Sequence, residues 1–453
     1  MRTIRVRRVA LALAVGLALA PSARAQEHDS IPGVALGLVY ETSFTPALAI
    51  RPFGGRFGGE ASAAQVAAIV ARDLRNSDRF EVMDSLPQAL TGDAIDYALW
   101  DRLGAVWLLT GSLESGGGRF TLVLELHDVV YGRLKESGRF PVPSPESDDF
   151  RMAVHRASDE VVRWVFDEPG MAASRIAFSM LAPGSNNKEL YVVDSDGENL
   201  RRVTNHASIV ISPAFSPDGS QVAFTSYKSG VPRIYVRDMG TGSERMVSER
   251  ALARGDHFTP AWAPDGATLA FSVSGGERSG IFSYNVQRNC CLTLLSGGRW
   301  NDLSPVYSPD GRDMVFNSNR LGTAAPQVYV MPAGGGEPDL VSPYAYDRPG
   351  YFTSPDWSPV GGMIAFHGAI RRGQYHILVA RIEDQGRRVR QLTWEGNNED
   401  PSWAPDGRHL VFKGERRWGK GLFVVDVATG ATRTILTGVD VTVPEWSPTL
   451  PGP

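Results

Sequence analysis

Cysteine is nearly absent from this chain: two occur in 453 residues, and they are neighbours, Cys290 and Cys291. A bridge between adjacent residues would be strained, and the spacing of a CxxC redox or metal motif is missing. The pair is therefore expected to be two separate structural thiols, with no disulfide framework behind the fold. Histidine is scarce too. The eight present form neither His-Glu-x-x-His nor a Cys/His cluster, so no metal and no cofactor are expected. No Gly-x-Ser-x-Gly nucleophile elbow occurs, and nothing follows the last repeat that could build an α/β-hydrolase. Positive charge is not in excess. The formal net charge of −4 gives no general reason to bind nucleic acid or anionic lipid.

Long apolar runs are also missing after the first residues. Arg2, Arg5, Arg7 and Arg8 precede an apolar stretch from Val9 to Ala20, which is short of the roughly 20 residues that span a bilayer. Ala23-Arg24-Ala25 then offers a small-x-small cleavage site. This reads as a secretory leader over 1–25, so export is expected. Loss of the leader's arginines leaves the mature chain more acidic still.

Glycine and proline are plentiful, 48 and 30, without a collagen period, as in folds rich in hairpins. Their arrangement decides the architecture. Five segments share Pro-x-aromatic-Ser/Ala-Pro followed by a turn. They begin at Pro213, Pro260, Pro305, Pro355 and Pro401, 45 to 50 residues apart, which is one four-stranded propeller blade. The aromatics are Phe215, Trp262, Tyr307, Trp357 and Trp403. Four of the five continue as Pro-Asp-Gly, while Val360 replaces the Asp in the fourth. Such a tetrad suits a tight turn, with Pro presetting φ and Gly permitting the exit. An alternating strand follows each turn, as in Val222-Ala223-Phe224.

The ends complete the count. Pro444-Glu445-Trp446-Ser447-Pro448 is a sixth first strand with no blade after it, and Ile176-Ala177-Phe178 is a second strand lacking a first. The C-terminal strand must then close the ring, leaving no open edges. The expected organisation is a leader (1–25), a small α/β domain with a mixed sheet (26–168) and an all-β six-bladed propeller (169–453). In the first domain, Leu48-Ala49-Ile50 and Val106–Leu109 read as strands. Val66, Ile69, Val70 and Leu74 share one helical face, as do Phe150, Val154, Val161 and Val165. Phe120–Val130 and Leu134–Val142 read as a hairpin around Gly132.

Over almost its whole mature length the chain resembles the TolB family. The Pro-Asp-containing repeats, Arg72-Asp73-Leu74-Arg75-Asn76-Ser77 with Phe80, Ala157-Ser158-Asp159-Glu160-Val161 and the ending Val443-Pro444-Glu445-Trp446-Ser447-Pro448 carry the likeness. The resemblance implies a periplasmic, non-enzymatic scaffold that binds the peptidoglycan-associated lipoprotein Pal and the inner-membrane protein TolA. It further implies a role in outer-membrane integrity and in constriction at cell division. Gly33 to Ala49 departs from the family's short N-terminal strand, and the TolA contact is implied only by the family. Association with membranes through partners alone, and a monomeric state, are expected.

The residues just before each first Pro should rim the central channel. They are Asp256, His257, Phe258 and Thr259; Asn301, Asp302, Leu303 and Ser304; Tyr351, Phe352, Thr353 and Ser354; Asn397, Asn398, Glu399 and Asp400. Aromatics among carboxylates and amides suit a protein-binding surface, and the resemblance implies that Pal docks there. The alternative is a propeller enzyme, a hydrolase or lyase acting in the channel. It needs catalytic groups converging from several blades, and His257 with Asp302 is the one suggestive pair. Asp194-Ser195-Asp196-Gly197-Glu198-Asn199 faintly resembles a calcium loop, but it lacks the distant Glu and sits where a hairpin turn is required.

Overall fold

The computed structural model describes residues 44–452, apart from 57–59, 86–93, 117–118, 248–253, 277, 323–324, 345–349 and 372. The expected leader and most of Gly33–Ala49 lie outside the described residues.

The N-terminal unit runs β1 (Ala47–Ile50), β2 (Gly54–Arg56), α1 (Glu60–Asn76), β3 (Glu81–Met83), α2 (Tyr97–Arg102), β4 (Trp107–Gly116), β5 (Arg119–Asp128), β6 (Arg133–Val142) and α3 (Phe150–Phe166). Its sheet is ordered β3-β1-β4-β5-β6, with β2 also along β4. Strand β1 runs parallel to β3 and β4, while β4, β5 and β6 form an antiparallel meander, so the sheet is mixed. The apolar faces read from the sequence are those buried: Val66, Val70 and Leu74 of α1 and Val154 and Val161 of α3 cover Leu48, Leu113, Leu122 and Leu124. The short elements β2, β3 and α2 had no periodic signal. The Asp96 side chain caps α2 by accepting from the Leu99 N–H at 3.1 Å, and Trp100 packs with Leu108 and Val129.

Six four-stranded antiparallel sheets follow. Blades 2 to 6 begin with the inner strands Val210–Phe215, Asp256–Trp262, Asp302–Tyr307, Tyr351–Trp357 and Asn398–Trp403. Blade 1 takes its inner strand from Val441–Trp446, which pairs antiparallel with Arg175–Leu181. The ring is thus closed by the C-terminal strand, as the repeat count requires. Each second strand buries a phenylalanine: Phe178, Phe224, Phe271, Phe316, Phe366 and Phe412. Apolar clusters bridge neighbours, and one joins Ile176, Phe178 and Trp446 of blade 1 to Val411 and Val424 of blade 6. The aspartates of the Pro-Asp-Gly turns serve the turns: Asp265 accepts from the Ala267 and Thr268 N–H groups, both at 2.8 Å.

The N-terminal unit rests on the end of the propeller where these turns lie. Arg72 pairs with Glu198 of blade 1 at 2.7 Å, and the Asp78 carboxylate meets His409 of blade 6 at 3.1 Å. The opposite end is left uncovered among the described residues. No helix among them is long and apolar enough to cross a membrane. One expectation is corrected. Cys290 and Cys291 are joined as a disulfide on the outer strand of blade 3, where Asn289 and Cys291 both take left-handed backbone angles.

Candidate partner-binding site

Every inner strand is broken at the same place. Ser212, Thr259, Ser304, Ser354, Asp400 and Val443, each just before a proline, have φ between 47° and 55°. At each of these places the pairing register shifts, and the strand bulges. A left-handed angle is uncommon for residues other than glycine, so its recurrence six times marks a bend imposed by the ring. Prolines contribute no N–H to the ladder and fit at such bulges. Together these residues and their prolines line the waist of the channel, a cavity of about 90 Å³. Neighbouring blades are tied across it: Ser354 Oγ donates to Asp400 Oδ1 at 3.0 Å, and the Ser304 N–H donates to Thr259 Oγ1 at 3.3 Å.

Above the waist, strand alternation sorts the expected rim residues, because successive side chains point to opposite faces. Those three before each proline turn away from the channel into the packing between strands. Phe352 is fully buried and meets Phe366 edge-on, and His257 lies buried against Phe271. Asp302 is fully buried and paired with Arg320 at 3.0 Å, while Asn398 accepts from Arg416 at 2.8 Å. These four hold the blades together and offer little to a partner, which also separates the His257 and Asp302 pair from any substrate in the channel. Those two before each proline are half-buried: Phe258, Leu303, Thr353 and Glu399, the last paired with Lys413 at 2.9 Å. At the outer edge, Asp256 is half-buried, Asn301 accepts from the Ser279 N–H at 3.1 Å, and Tyr351 is exposed with its ring against Tyr375.

Sequence reading missed two features. The first is an apolar fringe around the open end. Trp394, on the crossing into blade 6, is 53% exposed, and Trp418, on the hairpin of that blade, is 62% exposed. Val231 and Leu321 stand exposed on the corresponding hairpins of blades 2 and 4. The signal available was a large apolar residue in a tight hairpin, where polar residues are usual. The second is a pair of acids just past the waist. The residue following the proline is Ala214, Ala261, Val306, Asp356, Ser402 and Glu445 around the ring. Asp356 accepts from the Trp403 N–H at 2.6 Å and the Trp357 N–H at 2.9 Å, and Glu445 lies by the Ser402 hydroxyl at 3.4 Å. Both line the channel and are half-buried there. Burial pushes the Asp356 carboxyl up to about 6. Burial and the neighbouring Asp356 charge hold Glu445 well above the usual carboxylate range.

Two further groups have donor atoms within 4.8 Å of one another: Asp73, His155 and Asp196, and Asp78, His409 and Asp426. In both, a guanidinium group pairs with one of the carboxylates. Arg151 contacts Asp196, and Arg408 grips Asp426 with two bonds of 2.9 and 2.7 Å.

Comparison with known proteins agrees with this architecture. The family described as TolB beta propeller domain matches residues 164–450, and the one described as TolB amino-terminal domain matches 41–135. The Protein TolB homolog of Chlorobium chlorochromatii is 33% identical over 232 residues, 51% of this chain and 50% of that relative. The chain therefore spans about half the length of that relative. The Tol-Pal system protein TolB of Anaeromyxobacter dehalogenans is 33% identical over 311 residues, 67% of this chain and 68% of the relative. The crystal structure of TolB from Acinetobacter baumannii superposes with a TM-score of 0.74 at 24% identity, covering 90% of this chain and 97% of that one, and so shares the fold.

Proposed function

The chain belongs to the TolB family, and on that premise we propose that it is a periplasmic scaffold of the Tol–Pal system, without catalytic activity, exported by cleavage of the leader 1–25. Its propeller (169–453) binds Pal at the open end of the channel. Its N-terminal domain (26–168) faces TolA. Through these contacts it supports outer-membrane integrity and constriction at division. The observation that supports this reading is the uncovered channel mouth, where Phe258 and Leu303 are half-buried and Tyr351, Trp394 and Trp418 are exposed. Aromatic anchors carry much of the energy of protein interfaces. Glu399 beside them adds negative charge that steers a basic partner.

The test is binding of a cognate Pal domain to the immobilised mature protein at two ionic strengths. Phe258→Ala with Tyr351→Ala, and separately Trp394→Ala with Trp418→Ala, are each expected to weaken binding about tenfold or more, as loss of a central aromatic costs roughly 2 kcal/mol. Glu399→Gln should mainly slow association at low salt. Thermal melts serve as the folding control. Normal binding by both double variants would move the docking face to the opposite end or to the N-terminal domain.

A further inference from the structure

We propose that His409 is a proton-gated clasp between the two domains: as an imidazolium it ties Asp406 of blade 6 to Asp78 of the N-terminal domain, and losing its proton loosens that attachment. The case begins with donors and acceptors. His409 Nδ1 lies 2.6 Å from Asp406 Oδ2, and its Nε2 lies 3.1 Å from Asp78 Oδ2. Ionised carboxylates only accept hydrogen bonds. A neutral imidazole has one donor nitrogen and one acceptor, so both contacts are satisfied only by the doubly protonated ring. His409 is fully buried and Asp406 nearly so, while the Asp78 side chain keeps 30% of its surface exposed.

The charges around the ring agree. Asp406 and Arg408 face it from its own strand and turn, Asp78 from the loop after α1, Asp426 from the end of the third strand and Arg433 from the outer strand. Three carboxylates thus meet two guanidinium groups, and the cluster is neutral only when His409 carries a charge. Burial alone would lower the affinity of the ring for its proton, but Asp406 and Asp78 outweigh it and hold the value above the usual histidine one. The same contact holds Asp406 down at about 2 against the opposing effect of burial. A histidine raised in the folded state contributes fully below about 6.5 and loses its contribution as pH climbs through the raised value. The clasp is therefore closed at the ordinary histidine value and loosens as pH climbs through the raised one.

Deprotonation would leave a lone pair at Nε2 facing the Asp78 carboxylate. Asp78 would then keep the 3.4 Å contact from Arg433, and its backbone carbonyl the 3.0 Å bond from Arg408. A second attachment lies on blade 1, where Arg72 and Arg151 grip Asp196 and Glu198. A molecule losing the blade 6 clasp stays anchored at blade 1, and α3 keeps its bonds to the propeller through Arg156 with the Pro451 carbonyl and Asp159 with the Ala172 and Ala173 N–H groups, so the N-terminal domain loosens at blade 6 without separating.

Two measurements on the full mature chain test this. A histidine NMR titration, assigned with His409→Gln, should show His409 titrating above 6.5; titration at or below that value overturns the proposal. Hydrogen exchange across residues 76–81, corrected for the intrinsic pH dependence, should show about tenfold loss of protection between one pH unit below and one pH unit above the midpoint found by that titration. Asp78→Asn, which leaves the propeller intact should His409→Gln fold poorly, should abolish that pH dependence. Equal protection at both pH values, or a fall that persists in Asp78→Asn, refutes the clasp.

Discussion

Trp446 is the residue on which ring closure can be tested with a single substitution. It lies in the strand that completes blade 1, is 4% exposed, and packs in the cluster joining blades 1 and 6. Its indole N–H donates to Ser174 Oγ at 2.7 Å, and its backbone N–H donates to Ser402 Oγ at 3.0 Å. Trp446→Ala removes a buried indole, which costs roughly 3–5 kcal/mol. The lost hydrogen bond adds little, because the Ser174 hydroxyl still donates to the Met171 carbonyl. At about 2–4 °C per kcal/mol for a domain of 150–250 residues, the melting temperature should fall by about 10 °C. Trp446→Phe keeps most of the apolar burial and gives up the indole bond, about 1 kcal/mol, so it should melt only a few degrees lower. Differential scanning fluorimetry on the two variants and the parent gives the comparison. Truncation after Gly438 removes the strand altogether, and cooperative melting should disappear as two sheet edges open. An alanine variant melting within about 2 °C of the parent, a shift worth only about 1 kcal/mol or less, would refute the closure energetics.

Other outcomes follow from the buried charges. Asp302→Asn breaks the pair with Arg320 inside blade 4 and should cost about 3 kcal/mol in thermal melts, while leaving the channel mouth chemically unchanged. Glu445 is raised in the folded state, so its contribution is present below the ordinary glutamate value and is lost as pH rises through the folded one. Glu445→Gln should accordingly melt like the parent near pH 4 and be more stable at pH 8, by on the order of 1 kcal/mol. A smaller gain at pH 8 than at pH 4 would contradict the raised acid.

Much of the fold was legible because its signals are short-range and repeated. Pro-x-aromatic-Ser/Ala-Pro marks each inner strand, and the orphaned pieces at Ile176 and Trp446 announce the closure without any long-range information. The channel mouth was harder to read. The four residues before each proline share one place in the repeat, but the inner strands already include Asp256 and Tyr351. Alternation then sends His257, Asp302, Phe352 and Asn398 inward. Asp356 and Glu445 were invisible because they belong to different repeats and meet only when the ring closes. His409 carries no motif of its own in the sequence, and its partner Asp78 lies 331 positions away. Only the docking of two domains brings them together.

The six bulges divide labour along each inner strand. Curvature at the waist comes from the backbone at Ser212, Thr259, Ser304, Ser354, Asp400 and Val443 and from the prolines that follow. The side chains two positions before those prolines, among them Phe258, Leu303 and Glu399, do not set that curvature. A surface built this way is open to revision. Its lining can be exchanged one blade at a time, charge for aromatic or large for small, while the bore keeps its shape, so a lineage can change the chemistry of the mouth without passing through an unfolded intermediate sequence.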